Sequence, residues 1–294
     1  MNRSASGILL PKEISQQIWQ DAQDSSAVMR FATRIDLPGA GVQIPMITGD
    51  PTAQWVTETE EIAVGDSTFS SKAIAGYKLG VIELFSNEFK RDLPGLYREL
   101  AKRLPKTLGL AFDATVFHGA APGADFDELR DVQALSLDTT DTYGDLVAIE
   151  SAVSLANGTN TGYVLSPRAR GLLLNARDAD NRPLLLNDIQ REGGVSQLLG
   201  VPVDLTRAVY KEGVEDTTPE VLGFAGDWSQ AMYGVVEGIE VAVSSEATVN
   251  KGGTQVNLFQ RDMFALRVTA HLGFAVRDKS KLVRITGATP NDEA

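Results

Sequence analysis

Near the C-terminal end of this 294-residue chain, Phe264, Leu266, Val268, Ala270, Leu272, Phe274 and Val276 alternate with Ala265, Arg267, Thr269, His271, Gly273, Ala275 and Arg277. Alternation is the period of a β-strand, whose successive side chains point to opposite faces. Strands in globular proteins average about five or six residues. A strand more than twice that length needs neighbours of comparable reach, and it makes the body elongated. A second element matches it. Leu96, Leu100, Leu104, Leu108, Phe112 and Val116 recur every fourth residue, with Tyr97, Ala101, Ala111 and Phe117 widening the stripe, which predicts one long amphipathic helix. Asp92 and Pro94 suit its first turn and Gly119 the position just past its end, giving roughly 36 Å at about 1.5 Å per residue. Pro105 crowds the carbonyl of Ala101 and predicts a bend, not a break.

The third long feature lacks internal support. From Phe69 onward Ala73, Ala75, Tyr77, Leu79 and Val81 alternate with polar or small residues, as in a half-buried strand. Before it lies AQWVTETEEIAVGDSTF, residues 53–69, with a turn signal at Val64–Ser67. The pattern predicts a long hairpin over residues 53–82, with arms of roughly 30 Å at about 3.3 Å per residue. Its outer half carries Glu58, Glu60, Glu61 and Asp66 and too few apolar residues to close a core. A two-stranded ribbon is marginal alone in water, so its support is expected from another molecule.

The rest reads as mixed α and β. Residues 1–49 form an arm with a small helix around Pro11, Ile14 and Ile18, then turns at Pro38, Gly39, Gly41 and Pro45. Tyr143 to Leu155 and Arg168 to Ala176 read as helices, TGYVLSP and VLGFAGDW as short strands, and YGVVEGIEVAVSSEA as alternating again.

The chemistry of an enzyme is missing from this pattern. The two histidines, His118 and His271, lie far apart without ligand-spaced partners, and both read as structural; His118 stands where it can meet the helix C-terminal carbonyls. Gly226-Asp227-Trp228-Ser229 lacks the framing of a nucleophile elbow, and no glycine-rich loop ends in the residues that cradle phosphate. The acidic hairpin residues lack calcium-loop spacing. No cysteine is present, which removes disulfides and thiolate chemistry. No enzyme activity, cofactor or metal is therefore expected. No run approaches the 18 or so apolar residues of a membrane span. A net charge of −12 argues against a surface built to grip phosphates.

Taken in order, the segments resemble the major capsid proteins of tailed bacteriophages with the HK97-type fold. The resemblance runs through ILLPKEISQQI, AQWVTETEEI with STF, VIELFSNEFKRD, LAFDATVFHG, YVLSPRARGLLLNARDADNRPLL, LLGVPV, GFAGDWSQAMYGVVEGIEV and LFQRDMFALRVTAHLGFAV, covering about residues 8–287. It implies an α+β fold in five parts: an N-terminal arm (1–49), an extended E-loop (50–84), the spine helix of a P-domain (85–125), an A-domain (126–238) and the long strands of the P-domain (239–294). The E-loop of such a protein lies across a neighbouring subunit. Trp55 and Phe69 are then its anchors, and Glu58, Glu60 and Glu61 face basic residues of the neighbour. Arg91, Arg98, Lys102, Arg103, Arg261, Arg267 and Arg277 are the candidate partners, chosen by charge alone.

Some members of the family join an E-loop lysine to an asparagine. Here no lysine lies between residues 13 and 71, and Asp262 and Thr269 stand near where the other partners would be sought, so no autocatalytic crosslink is expected. Noncovalent contacts, with a cementing protein as a further aid, are the expected substitute. The long helical extension that serves some members as a built-in scaffold is not seen, so either a separate scaffolding protein or a processed form of the chain is expected, and Met1 favours the former. The implied function is a shell subunit forming pentamers and hexamers around double-stranded DNA, with a portal, assembled in the bacterial cytoplasm and residing in the virion. An encapsulin-like compartment holding protein cargo is the alternative, although the E-loop and GDWSQAMYG stretches look more phage-like.

Overall fold

The computed structural model describes residues 23, 25–39, 41–49, 53, 55–57, 61, 64, 66–87, 93–138, 141–177, 197–214, 218–236 and 238–287; side chains at 47–49, 93–102, 104 and 105 are outside the description. The expected small helix around Pro11 to Ile18 lies outside these residues.

The 14 alternating residues form one strand, β14 (Met263–Val276). Along one edge it pairs antiparallel with β4 (Tyr77–Ser86), from Met263 opposite Ser86 to Leu272 opposite Tyr77. Along the other, two short strands lie end to end: β10 (Ala231–Val235) against Leu272–Val276, and β11 (Glu240–Ser244) against Ala265–Thr269. β1 (Thr33–Asp36) joins β10 in parallel and completes a five-stranded sheet. Leu266, Val268, Ala270, Leu272, Phe274 and Val276 line the main core, as the alternation predicts. The opposite face is more covered than alternation suggests, since Ala265, Thr269 and Ala275 are buried as well. Two small clusters cover it. Leu37, Ile74 and Met232 close over Ala275, and Val256 and Leu258 over Ala265. These last residues belong to a small hairpin, β12 (Thr248–Lys251) and β13 (Thr254–Asn257), and the turn after it.

The long helix is α2 (Leu93–His118), continuous through Pro105, with Gly119 just beyond it at φ +76, a conformation glycine adopts at little cost. Its buried stripe meets both sheets of the molecule. Phe112 packs edge-on against Phe274 of β14, and Phe117 stacks on Phe224 with ring centres 4.9 Å apart. A short preceding helix, α1 (Ala27–Phe31), is capped by Ser26 and buries Ala27, Val28 and Met29 in the same core.

Phe224 belongs to a six-stranded sheet ordered β5 (Gln133–Ser136), β15 (Leu282–Thr286), β9 (Val221–Gly226), β6 (Gly162–Leu165), β8 (Val201–Leu205) and β7 (Gln197–Leu198). One face shares Val164, Phe224 and Leu282 with the main core. The other packs Tyr163, Leu165, Leu222, Val283 and Ile285 beneath α3 (Thr142–Leu155) and α4 (Pro167–Asn175). Cover on both faces explains why β6 and β9 read as continuous apolar runs. The sheets cross the linear division of the sequence: β10 joins the sheet of β14, while β15, close to the C-terminus, joins β9 and β6.

The hairpin differs from its expected form. Residues 68–86 are two strands, β3 (Thr68–Ile74) and β4, separated at Ala75-Gly76. β3 pairs with β2 (Val42–Gly49), from Val42 opposite Ile74 to Gly49 opposite Thr68, and among the described residues it has no pairing with 53–63. Val42 and Ile44 supply the reason, packing with Ile74 and Leu37, whereas residues 53–64 offer no comparable apolar face. Pro45, expected in a turn, lies within β2 opposite Ser71. A two-stranded ribbon has free edges on which the missing N–H is tolerated.

Candidate assembly interface

The ribbon of β2 and β3 has a fixed root. Ile74 is buried, and the Ala75-Gly76 link crosses the sheet where Gly234 of β10 lies opposite Gly273 of β14. A Cβ at Gly273 would collide with the carbonyl oxygen of Ala75, and one at Gly234 with the Leu37 side chain, so Gly273 leaves room for the crossing and Gly234 for Leu37. Two residue pairs beyond Ile74, Lys72 Nζ lies 2.9 Å from the Asp127 carboxylate. Asp127 in turn accepts from the backbone N–H of Val276 at 2.8 Å and has Lys279 at 3.7 Å. A half-buried ion pair anchored on the end of β14 therefore sets where the ribbon leaves the body.

Beyond this root most of the described side chains are open to solvent. From Ile74 to Thr68 the ribbon advances about 20 Å at about 3.3 Å per residue, and Thr68 to Ser71 are all exposed. Phe69 is 72% exposed, Val64 90% and Trp55 104%, as open as a free side chain. Three large apolar side chains within residues 55–69 are thus exposed, and exposed apolar groups of this size are the kind that mark a contact with another protein. Glu61 and Asp66 are exposed beside them, whereas Glu58 and Glu60 lie outside the described residues.

The candidate basic partners are scattered. Arg91 is outside the described residues, and Arg98 and Lys102 are on α2 with side chains outside the description. Arg103 is exposed on α2, Arg261 in the turn before β14, and Arg277 just past the end of that strand. Arg267 is half-exposed on β14, with Glu240 of β11 3.8 Å away as a neighbour of its own. Next to Arg261, Phe259 is 78% exposed, an aromatic that the sequence pattern does not single out.

No group of three or more histidine, cysteine, aspartate or glutamate side chains placed to hold a metal occurs among the described residues. His118 ends α2 as expected, but it lies beside the backbone of Ala208 and Tyr210, and burial pushes its pKa down. Among the described residues, no helix is long and apolar enough to cross a membrane.

Sequence reasoning also passed over Asp113, which is 0% exposed on α2. It accepts from Ser26 Oγ at 2.5 Å, from the backbone N–H of Ala27 at 2.8 Å and from that of Val28 at 3.3 Å. The signal was present: Asp113 falls four residues before Phe117 and three before Val116, on the buried stripe.

Known proteins place the chain in a family. The model of the phage capsid family matches residues 6–287. The chain is 28% identical to the "Probable major capsid protein gp17" of Mycobacterium phage D29, over 95% of this chain and 90% of that one. It is likewise 28% identical to the protein of the same description in Mycobacterium phage L5, over 95% and 89%. A solved chain from Gordonia phage Cozz superposes with a TM-score of 0.73 at 21% identity, covering 90% of this chain and 86% of its own. The α+β fold is accordingly that of the HK97-type capsid proteins, and the chain belongs to the phage capsid family.

Proposed function

We propose that this protein is the major capsid protein of a tailed-phage or prophage head, many copies of which close an icosahedral shell of pentamers and hexamers around double-stranded DNA. The observation that carries the reading is the ribbon: rooted by Ile74, the paired glycines and the Lys72–Asp127 ion pair, yet ending in Trp55, Val64 and Phe69 without cover from its own chain. A rooted projection with exposed apolar and acidic residues fits the surface of an adjacent subunit, and head-to-tail contacts that close through rotation generate rings. Membership of a structural capsid family supports self-assembly and residence in the virion, not catalysis.

The net charge of −12 suits an inner surface along which DNA must slide, because clustered lysine and arginine would hold the phosphates. DNA is then contacted weakly and without sequence preference. A separate scaffolding protein, a portal and a cementing protein are the further partners of this reading, with assembly in the bacterial cytoplasm. The related proteins are named as phage capsid proteins, which favours DNA over the protein cargo of an encapsulin-like shell.

Expression beside the neighbouring genes, followed by negative-stain microscopy, tests the reading. Closed shells or free pentamers and hexamers are expected, with DNA as the content of the filled ones. Trp55→Ala is expected to stay soluble and folded but to lose most of the particle yield, since interface energy concentrates in a few buried aromatic anchors. A monomer under every condition would overturn the capsid reading; normal yield from the variant would overturn the role of Trp55.

A further inference from the structure

A helix on a protein surface ordinarily turns charged side chains outward and an apolar stripe inward. α3 departs from this. Leu146, Ile149 and Val153 pack on the sheet, and the opposite side presents Tyr143, Val147, Ala148, Ser151, Ser154 and Leu155, all exposed and none charged. Leu155 is 85% exposed and Tyr143 57%. The two charged residues of the helix are engaged within the chain. Asp145 accepts from the backbone N–H of Asp138 at 2.6 Å, and Glu150 accepts from Asn160 Nδ2 and from the Tyr163 hydroxyl, both at 2.6 Å. A shallow hollow lined by Val147, Glu150, Ser151, Ser154 and Leu155 opens on this helix.

A second departure stands at the far edge of the same sheet, since α3 lies over β5, β15 and β9 while β8 and β7 end the strand order. Two residues, Leu199 and Gly200, join β7 to β8, with Leu198 opposite Val201 and φ of +49 and +83 in the link. Turns of this form favour asparagine, aspartate or glycine at the first position, because a left-handed backbone crowds a larger side chain. Leucine strains the turn, and at 47% exposed it gains little from the core in return; its neighbour Leu198 is the buried one. Strained residues of this kind are retained where a contact needs them.

We propose that these are the two halves of one head-to-tail contact, in which the Leu199 turn of one copy seats in the hollow on α3 of the next copy around the ring. This deepens the capsid reading above and rests on it. Charge selects a second copy as the occupant. At a net charge of −12, two copies repel wherever acidic surfaces meet, so a contact between them favours surfaces clear of charge. Both features meet that condition: the outer side of α3 is uncharged, and so is the chain from Gln197 to Val203. A basic partner would instead be met by carboxylates. The two features also lie at different ends of the sheet, as a heterologous contact that closes into a ring requires. The contact is small. A helix face about 21 Å long and roughly 10 Å across offers roughly 200 Å², against about 800 Å² per partner in a stable pair. It therefore holds only together with other contacts such as the ribbon, and by itself it leaves single subunits apart.

The chain has no cysteine, so two introduced thiols report on each other alone. Ser151→Cys at the hollow and Gln197→Cys beside the turn change exposed side chains only. In particles assembled from the double variant, a short bis-maleimide is expected to join subunits into a ladder that ends at pentamers and hexamers. Particles coassembled from the two single variants should give dimers and nothing longer, and neither single variant should be joined on its own. Leu199→Asn suits the turn better than leucine does, so the isolated subunit is expected to melt at the wild-type temperature or above it, while particle yield falls at least about tenfold. Double-variant particles without a ladder, or Leu199→Asn particles at wild-type yield, would overturn this contact and leave the capsid reading standing. Wild-type subunits that never assemble would overturn both.

Discussion

Trp228 and Trp55 stand at opposite extremes of one chain. Trp228 is 0% exposed, donates from Nε1 to the carbonyl of Gly162 at 2.9 Å, stacks on Phe31 and meets Phe117 edge-on. It closes the seam where α1, α2 and the six-stranded sheet come together. Trp55, on the ribbon, has no such surroundings. Burial of a large aromatic side chain is among the stronger contributions that one residue makes to a fold, and in the body that contribution is complete within the chain. On the segment joining β2 to β3 it is left open, and under the capsid proposal a second copy completes it. Under that proposal the difference is one of where the partner resides, and it separates residues that stabilise the subunit from residues that stabilise the shell.

Substitutions can break this division or sharpen it. The largest effect on the isolated subunit is expected from Trp228→Ala, which leaves a cavity and an orphaned Gly162 carbonyl at the seam: about 3–5 kcal/mol lost in denaturant unfolding. Gly273→Val comes next. Its Cβ meets backbone at Ala75, which cannot move aside as a side-chain end could, so the ribbon root must shift at a cost of about 1–3 kcal/mol. Faster protease cleavage within residues 42–74 should accompany the lower melting temperature. Trp55→Ala should change subunit stability least, by no more than about 0.5 kcal/mol, because it removes no contact made within the chain. A stability loss at Trp55 comparable with that at Trp228 would erase the distinction.

Much of this arrangement was legible in the residues themselves, and the failures have physical causes. The 14-residue alternation and the every-fourth-residue stripe were readable because a regular period survives whatever the element packs against. What packs against it is not encoded locally. Thr269 and Ala275 gave no sign that small clusters would cover the second face of β14. The ribbon's partner strand was misplaced because Val64–Ser67 is a strong turn signal, while the apolar match of Val42 and Ile44 to Ile74 is a long-range matter. At the interface, the exposure of Trp55 and Phe69 agreed with the acidic, poorly apolar composition around them. Lys72 and Asp127 escaped notice because an ion pair across 55 residues leaves no spacing to read. Asp113 is not distinguished by the pattern, since a carboxylate beside an apolar stripe also fits the stripe's solvent edge.

Hydroxyl-radical footprinting before and after assembly tests the central claim most directly, with Trp55 and Trp228 followed in separate peptides. In the free subunit Trp55 should oxidise rapidly and Trp228 hardly at all. In closed shells Trp55 should fall to the low rate of Trp228 while Trp228 stays unchanged. If Trp55 were oxidised as rapidly in closed shells as in free subunits, the ribbon would not be completed by a neighbour, and the account of it given by these residues would be wrong.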